Sequence, residues 1–300
     1  MKRMPTGWIA MGLGGILLIL VVFVGPSVFR LFNEKAVMDE YHALIMKADI
    51  RPVDLIQWLD QNIGAVSREK TGEMVLELER MQQAALPTWQ ATFEKKTVQT
   101  ALAAAYLQNG WTLENTDGLK DEDIKAMVAE AVGNGYKVET AEGMFFPVLD
   151  YTVYQKYSEK LAPDLAEYFE IMAVESERMP AKDAAIVIGW DEVLQRGKRQ
   201  EAFLKAYPSS AQAGAVRQLL SRYTVFALYG SNNTPLFGYD TGEMNAKAKA
   251  AFLRETWEAE DGAFSELINR YLQVLEANNF RLTDSVEDFR RNAADGFEND

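Results

Sequence analysis

The chain has 300 residues, of which 48% are hydrophobic and 25% are charged, and its formal net charge is −13. This length suffices for one large core or two smaller ones, and this composition excludes wholesale disorder. Because the sequence has no cysteine, disulfides, thiolate metal sites, iron–sulfur clusters and cysteine nucleophiles are excluded as well.

The first predicted element is an apolar run near the N-terminus. The stretch WIAMGLGGILLILVVFVG covers residues 8–25, and no charged residue lies between Arg3 and Arg30. Roughly 20 such residues in a helix cross the core of a bilayer. Because Lys2 and Arg3 precede the run, the positive-inside rule places the N-terminus in the cytoplasm. We therefore expect a single-pass protein of the cell membrane, with residues 1–30 as an uncleaved signal-anchor and residues 31–300 extracytoplasmic.

Two other interpretations of this run stay open, a cleaved signal peptide and a buried helix of a soluble protein. No A-x-A-like cleavage site ends the run, and Pro26 is an unfavourable residue at that place. A lipoprotein anchor is excluded, since no cysteine follows.

Charge distribution supports an acidic ectodomain. Three of the 31 basic residues and none of the 44 acidic ones lie within residues 1–30. The remaining surface repels nucleic acid and anionic lipid, so we expect no nucleic-acid partner. Acidity of this kind mainly favours solubility; cation binding or a basic protein partner is the alternative.

The N-terminal part of the ectodomain, residues 31–135, is predicted to be helical throughout. Apolar side chains recur at helical spacing from Asn33, which is a suitable N-cap. Later helices are expected to start at Pro52, to break at Pro87 and to start again near Asp121.

One segment at the start of the C-terminal part, residues 136–300, departs from this pattern. The stretch YKVETAEGMFFPVLDY alternates and is rich in aromatic and β-branched residues around the AEG triplet. It predicts a short β-hairpin near residues 136–148, which would pack on a helical face. The predicted class is therefore mainly α, with a transmembrane helix, a helical and partly solenoid-like ectodomain, and one hairpin.

A near-repeat organises the last third of the chain. AFLKAYPSSAQAGAVRQLLSRY (residues 202–223) aligns with AFLRETWEAEDGAFSELINRYL (residues 251–272). Phe203 matches Phe252, and Tyr223 matches Tyr271 after one deleted residue. A shared helix–turn–helix unit would produce this match, although amphipathic helices also create such matches by chance.

The first copy resembles the F-x-x-x-Y-P-x-S-x-x-A pattern of tetratricopeptide-like repeats in bacterial envelope proteins. Phe203, Tyr207, Pro208, Ser210 and Ala213 carry the resemblance. It covers about 20 residues, and the second copy lacks the Tyr-Pro-Ser signal. The resemblance implies a helical surface that binds protein or glycan, without catalysis.

Few residues offer catalytic or cofactor chemistry. His42 is the only histidine, and we interpret it as a surface or interhelix residue. No Walker or dinucleotide-binding sequence is present, so no nucleotide, cofactor or metal is expected. The acidic clusters KDEDIK and ETWEAEDG lack EF-hand spacing and are interpreted as a helix start and a helix end.

One carboxylate carries an enzymatic alternative. IMAVESERMPAKDAA, residues 171–185, faintly resembles the Glu-Ser segment of lysozyme-like lytic transglycosylases at Glu175 and Ser176. The segment that follows in that family is absent here. A buried Glu175 of raised pKa could protonate a glycosidic oxygen. The favoured interpretation is that Glu175 and Glu177 face solvent on an amphipathic helix.

The loop LYGSNNTPLFGYDTG lies between the two copies of the near-repeat. Gly230 suits a helix end, Asn245 suits the next helix start, and Leu236, Phe237 and Tyr239 can form a hydrophobic plug. We interpret the loop chiefly as a connector. If it binds a ligand, the candidate residues combine polar and aromatic side chains: Asn232, Asn233, Thr234, Phe237, Tyr239 and Asp240.

These observations favour a membrane-anchored, extracytoplasmic, helical binding or scaffold protein that is not an enzyme. Its expected contacts are the membrane, through residues 8–25, and a protein or cell-envelope glycan. Two alternatives stay open: a sensor or regulatory ectodomain coupled to a membrane partner, and a glycan-cleaving envelope enzyme that uses Glu175.

Overall fold

The structure, a computed structural model, describes residues 34–108, 111–113, 116–256 and 262–297. The predicted anchor at residues 8–25 and the Asn33 N-cap lie outside these ranges. Within them, no helix combines the length and the apolarity needed to cross a membrane.

The described part of the chain is mainly helical, which confirms the predicted class at that level. The helices in chain order are α1 (residues 34–45), α2 (Pro52–Asn62), α3 (Arg68–Phe93), α4 (Lys96–Gln108), α5 (Glu122–Gly133), α6 (Pro163–Glu177), α7 (Trp190–Ala206), α8 (Ala213–Tyr229), α9 (Ala246–Arg254), α10 (Ala263–Ala277) and α11 (Asp284–Phe297). Within the described ranges the strands form three antiparallel hairpins: β1 (Tyr136–Ala141) with β2 (Met144–Leu149), β3 (Ala181–Lys182) with β4 (Ala185–Ile186), and β5 (Gly230–Ser231) with β6 (Thr234–Pro235).

The chain divides into two compact units, with the boundary between Gln82 and Gln83. In the first unit, the apolar faces of α1, α2 and the first part of α3 are buried, and the Tyr41 and Trp58 rings lie 5.7 Å apart. His42 is exposed, as its interpretation as a surface residue requires. The domain boundary predicted at residue 135 stays a prediction.

The predicted break at Pro87 is wrong, because α3 runs through this proline to Phe93. Proline removes one backbone hydrogen bond from a helix interior and is normally unfavourable there. Phe93, beyond the proline, is fully buried. Burial of that ring favours continuation of the helix, and local propensity is overruled by packing.

The helix starts predicted at Pro52 and near Asp121 are confirmed. The Asp121 side chain accepts hydrogen bonds from the Asp123 and Ile124 amides and caps α5. The predicted hairpin forms between β1 and β2, with Tyr136 paired to Leu149 and Ala141 to Met144.

Aromatic residues of the segment after the first hairpin lie in the core. Residues Tyr151–Lys160 form a 3₁₀ helix. This element packs on α6, with the Tyr154 and Phe169 rings stacked 4.4 Å apart. Both rings are fully buried, so they are unavailable to a ligand.

Helix α7 is the central element of the second unit. It packs against α6, α8, α9 and α10, while α11 packs on α8 and α10. A largely apolar core fills the space between these helices and includes Val193, Tyr223, Phe252 and Phe264. Gly197 of α7 lets Phe264 approach closely, since a Cβ at this position would lie 2.5 Å from the ring.

Each copy of the near-repeat contributes parts of two successive helices, as predicted, and residues 257–261 of the second copy lie outside the described ranges. The first spans the end of α7 and most of α8, and the second spans the end of α9 and much of α10. Matched residues also share burial: Phe203 with Phe252, and Tyr223 with Tyr271, are all 1% exposed or less. That the two copies are a true repeat stays a prediction.

Candidate functional site

The loop after α8 begins with a tight hairpin that the sequence does not predict. Gly230 ends α8 with φ of 77°, and a Cβ there would lie 2.3 Å from the Thr234 carbonyl oxygen. Only glycine adopts this conformation at so close an approach. The chain therefore turns sharply into β5 and β6, which begins the connector between α8 and α9.

The hydrophobic plug forms in part. Leu236 and Phe237 are buried in the core, as predicted. Tyr239 is 77% exposed, so the prediction that it belongs to the plug is wrong. Its hydroxyl donates a 3.0 Å hydrogen bond to the Asn232 carbonyl oxygen, which orients the ring across the loop and leaves most of it in water.

A cleft of about 420 Å³ opens beside this ring, and we call it the loop cleft. It brings together three of the six candidate residues, Asn232, Phe237 and Tyr239. Its other lining residues come from α8, the rest of the loop, the segment before α11 and α11 itself: Val225, Tyr229, Gly230, Ser231, Pro235, Gly238, Gly242, Leu282 and Arg290.

Arg290 is the functional candidate that sequence analysis misses. Its guanidinium lies 4.7 Å from the centre of the Tyr229 ring and 5.6 Å from that of Phe237. Its Nε donates to the Glu287 carboxylate at 2.7 Å, which fixes its position. More than fifty residues separate Arg290 from the loop hairpin, and no local motif signals their contact.

The rim of the loop cleft is apolar and exposed. Val225, Tyr239 and Leu282 are 44%, 77% and 38% exposed, and all three line it. Exposed apolar groups that gather around one concavity are typical of binding surfaces. The Ser231 hydroxyl, also in the lining residues, is buried without a hydrogen-bond partner in the described part of the chain.

Contacts behind the loop hold it in one conformation. Arg281 pairs with Glu243 at 2.7 Å and donates to the Thr241 carbonyl oxygen at 2.8 Å. The Leu282 amide donates to the Gly242 carbonyl oxygen at 2.7 Å. The loop is thereby tied to the segment before α11, so the cleft is a preformed feature.

The other three candidate residues lie outside the cleft lining. Asn233 donates through its backbone amide to the Ala184 carbonyl oxygen and through its side chain to that of Asp183, at 2.8 and 2.6 Å. The Thr234 hydroxyl accepts from the Ile186 amide at 3.2 Å. These two residues join two hairpins, and Asp240 is an exposed turn residue.

The three hairpins are linked through their tips. Besides its contact with Asn233, Asp183 accepts a 2.7 Å hydrogen bond from the Glu142 amide at the tip of the first hairpin. Lys182 pairs with Glu139 of β1 in the same region. The polar residues of the loop therefore serve partly as structural connections.

The favoured interpretation of Glu175 as solvent-facing is wrong, whereas Glu177 is exposed. The Glu175 side chain is only 10% exposed. Tyr223 donates its hydroxyl to both carboxylate oxygens, at 2.7 and 2.8 Å, and Arg196 lies 3.4 Å away. The sequence could not predict this, because the three residues lie on different helices, α6, α7 and α8.

Burial raises the pKa of the Glu175 carboxyl, against the opposing effects of Tyr223 and Arg196. Burial also raises the pKa of Tyr223, which keeps its hydroxyl protonated as a donor. Arg196 also donates hydrogen bonds to the Glu192 carboxylate and to the Arg178 carbonyl oxygen. A raised pKa meets one requirement of an acid catalyst, but Glu175 does not line the loop cleft.

Comparisons with known proteins add no assignment: no family model, no curated protein and no solved structure matches this chain. In the ranges that the structure describes, no three His, Asp or Glu side chains gather as a metal site. The candidate site therefore rests on its own geometry.

Proposed function

We propose that this protein is a membrane-anchored, extracytoplasmic, helical binding or scaffold protein without catalytic activity, whose partner docks at the loop cleft. The observation that carries the proposal is the cleft itself. It combines exposed apolar side chains, two tyrosines and a guanidinium in a preformed concavity. Such a combination is typical of the residues that dominate binding energy at interfaces.

A protein is the favoured partner. Val225 and Leu282 widen the apolar surface beside Tyr239, and aliphatic side chains of this kind suit a partner's apolar anchor. An envelope glycan is the second candidate, because the Tyr239 ring and the polar Asn232 next to it also suit a sugar ring. Nucleic acid and nucleotides are not part of the proposal.

Placement in the cell rests on residues 8–25 and their flanking charges. A single membrane span there would leave the N-terminus in the cytoplasm and hold the loop cleft outside the cell or in the envelope. A solenoid-like C-terminal part belongs to the same proposal, and the two successive helices in each copy of the near-repeat support it.

Two alternative functions remain. A sensor or regulatory ectodomain would also use a docking surface, but it needs a membrane partner to carry the signal. A glycan-cleaving enzyme would use Glu175, whose two oxygens accept from Tyr223 next to Arg196. We assign these contacts a structural role, because Tyr223 and Arg196 already bind the Glu175 carboxylate and Glu175 does not line the loop cleft.

Replacement of Tyr239 by alanine tests the proposal. The side chain is mostly in water, so the free energy of unfolding should change by about 0.5 kcal/mol or less. Recovery of the partner should fall at least about tenfold, as expected for an anchor worth about 1.4 kcal/mol or more. The measurement is chemical cross-linking in cells, capture of the full chain, and quantification of proteins and glycans by mass spectrometry.

Tyr106→Ala is the matched control, since Tyr106 is a 41% exposed tyrosine on α4 and does not line the cleft. The control should recover the partner as the parent does. Equal recovery by Tyr239→Ala, at unchanged stability, would mean that the cleft is not the docking site. Recovery of glycan without protein would select the second candidate partner.

A further inference from the structure

A second concavity lies between α7, α8, α10 and α11, on residues that the loop cleft does not use. Its volume is about 430 Å³. We call it the apolar groove, because most of its inner surface is hydrocarbon, contributed by Leu204, Leu220, Ala263, Leu267 and Ala293.

The floor of the apolar groove is continuous with the core of the second unit. Leu220 is buried, while Leu204, Leu267 and Ala293 pack against the core and stay half-buried. These three side chains keep apolar surface in contact with water. A hydrocarbon chain that covered them would be favoured by the hydrophobic effect.

The rim of the groove is cationic. Arg217 of α8 and Arg270 of α10 are both exposed, and in the described part of the chain neither forms an ion pair with a carboxylate. Arg270 lies over the Phe289 ring at 5.9 Å. Other arginines of this unit, such as Arg196, Arg199 and Arg281, do pair with carboxylates.

Among the side chains that the structure describes, Glu266 is the one acidic residue of the lining, so the rim holds two guanidiniums and one carboxylate. This local excess of positive charge contrasts with the net charge of −13 of the chain. A guanidinium matches the planar geometry of a carboxylate. The rim is therefore complementary to an anionic headgroup.

We propose that the apolar groove binds a single-chain amphiphile with a carboxylate headgroup. The alkyl chain would lie along Leu204, Leu220 and Leu267, and the carboxylate would pair with Arg217 and Arg270. The volume is at the small end of the range for small-molecule sites, which suits one chain better than a helix of a partner protein. This site is independent of the loop cleft.

Photoaffinity labelling of the full chain in membranes tests this proposal. The probe is dodecanoic acid with a diazirine near the chain end, and labelled peptides are mapped by mass spectrometry. Label should fall within residues 202–223 and 263–272 or at residues 292 and 293, which all line or flank the groove, and unlabelled dodecanoate should compete for it. Dodecanol, which lacks the charge, should compete at least about tenfold less well, as a factor of 10 is expected from one lost ionic contact.

The double variant Arg217→Gln/Arg270→Gln should lose at least about nine-tenths of the label, the same factor of 10, with an unchanged thermal melt. Arg254→Gln/Arg291→Gln is the matched control, because these exposed arginines do not line the groove; it should label as the parent does.

Three results would overturn the proposal. The first is label confined to other segments, and the second is label that survives in the double variant or is competed equally by dodecanol. The third is labelling by a diazirine-bearing phospholipid but not by the free acid, which would replace the single-chain ligand by a membrane lipid.

Discussion

Replacing Arg196 with methionine should lower the free energy of unfolding by about 3–5 kcal/mol, the range for breaking a buried ion pair on one side. The Arg196 side chain is 6% exposed and donates to Glu192, to Tyr223 and to the Arg178 carbonyl oxygen. Methionine fills similar space but leaves the buried Glu175 without its cation. Urea denaturation followed by far-UV circular dichroism measures the loss.

A double-mutant cycle separates the ion network from simple packing. Glu175→Gln removes the uncompensated charge, so adding it to Arg196→Met should recover roughly 1 kcal/mol or more, within the usual range of coupling between contacting residues. Arg254→Met, an exposed arginine of α9, is the control and should change stability by about 0.5 kcal/mol or less. If Arg196→Met alone lowered the free energy of unfolding by less than about 1 kcal/mol, as loss of an exposed ion pair does, the structural role of the network would be contradicted.

Glu201→Ala should lower the free energy of unfolding by about 3 kcal/mol, because it leaves several buried donors unpaired. The Glu201 carboxylate accepts from the Phe264 amide at 2.5 Å and from the amide and hydroxyl of Ser265. These groups begin α10, whose N-cap is Gly262 and has no side chain. Glu201 of α7 therefore caps α10 from a neighbouring helix.

Hydrogen exchange of the backbone amides identifies why Glu201→Ala lowers the free energy of unfolding. In Glu201→Ala, the amides at the start of α10 should exchange faster than in the parent chain, while those of α8 keep their relative protection. Glu201→Gln retains an uncharged acceptor and should lose only about 1 kcal/mol. An alanine variant no less stable than the glutamine variant would show that the cap contributes little.

The elements most reliably predicted from the sequence are those with a local cause. Asp121 caps α5 and Asn245 caps α9, because an acceptor side chain two or three residues before free amides suffices for a helix start. Alternation with a tight turn likewise suffices for the β1–β2 hairpin. Each of these signals depends on neighbours in the chain.

Predictions fail where distant residues decide the outcome. The helix through Pro87 depends on burial of Phe93, and the two short hairpins at residues 181–186 and 230–235 depend on contacts between their tips. Strands of two residues are too short for an alternating pattern to reveal. Burial of Glu175 requires partners on two other helices, which no spacing rule can supply.

The candidate site shows the same division. Local composition makes Asn232, Phe237 and Tyr239 candidate binding residues of a loop interpreted chiefly as a connector, and all three line the loop cleft. Arg290, which completes it, comes from α11. Asn233 and Thr234, chosen for their polarity, instead join hairpins through hydrogen bonds.

The most direct test of the loop cleft as a docking site is site-specific photo-cross-linking in living cells. p-Benzoylphenylalanine is incorporated at Tyr239 of the full chain, or at Leu253, a 50% exposed residue of α9 outside the cleft lining, as the control. We predict a discrete cross-linked product at position 239 that is absent at position 253. Identical patterns at both positions, or no product at position 239 in a chain of unchanged stability, would contradict docking at the loop cleft.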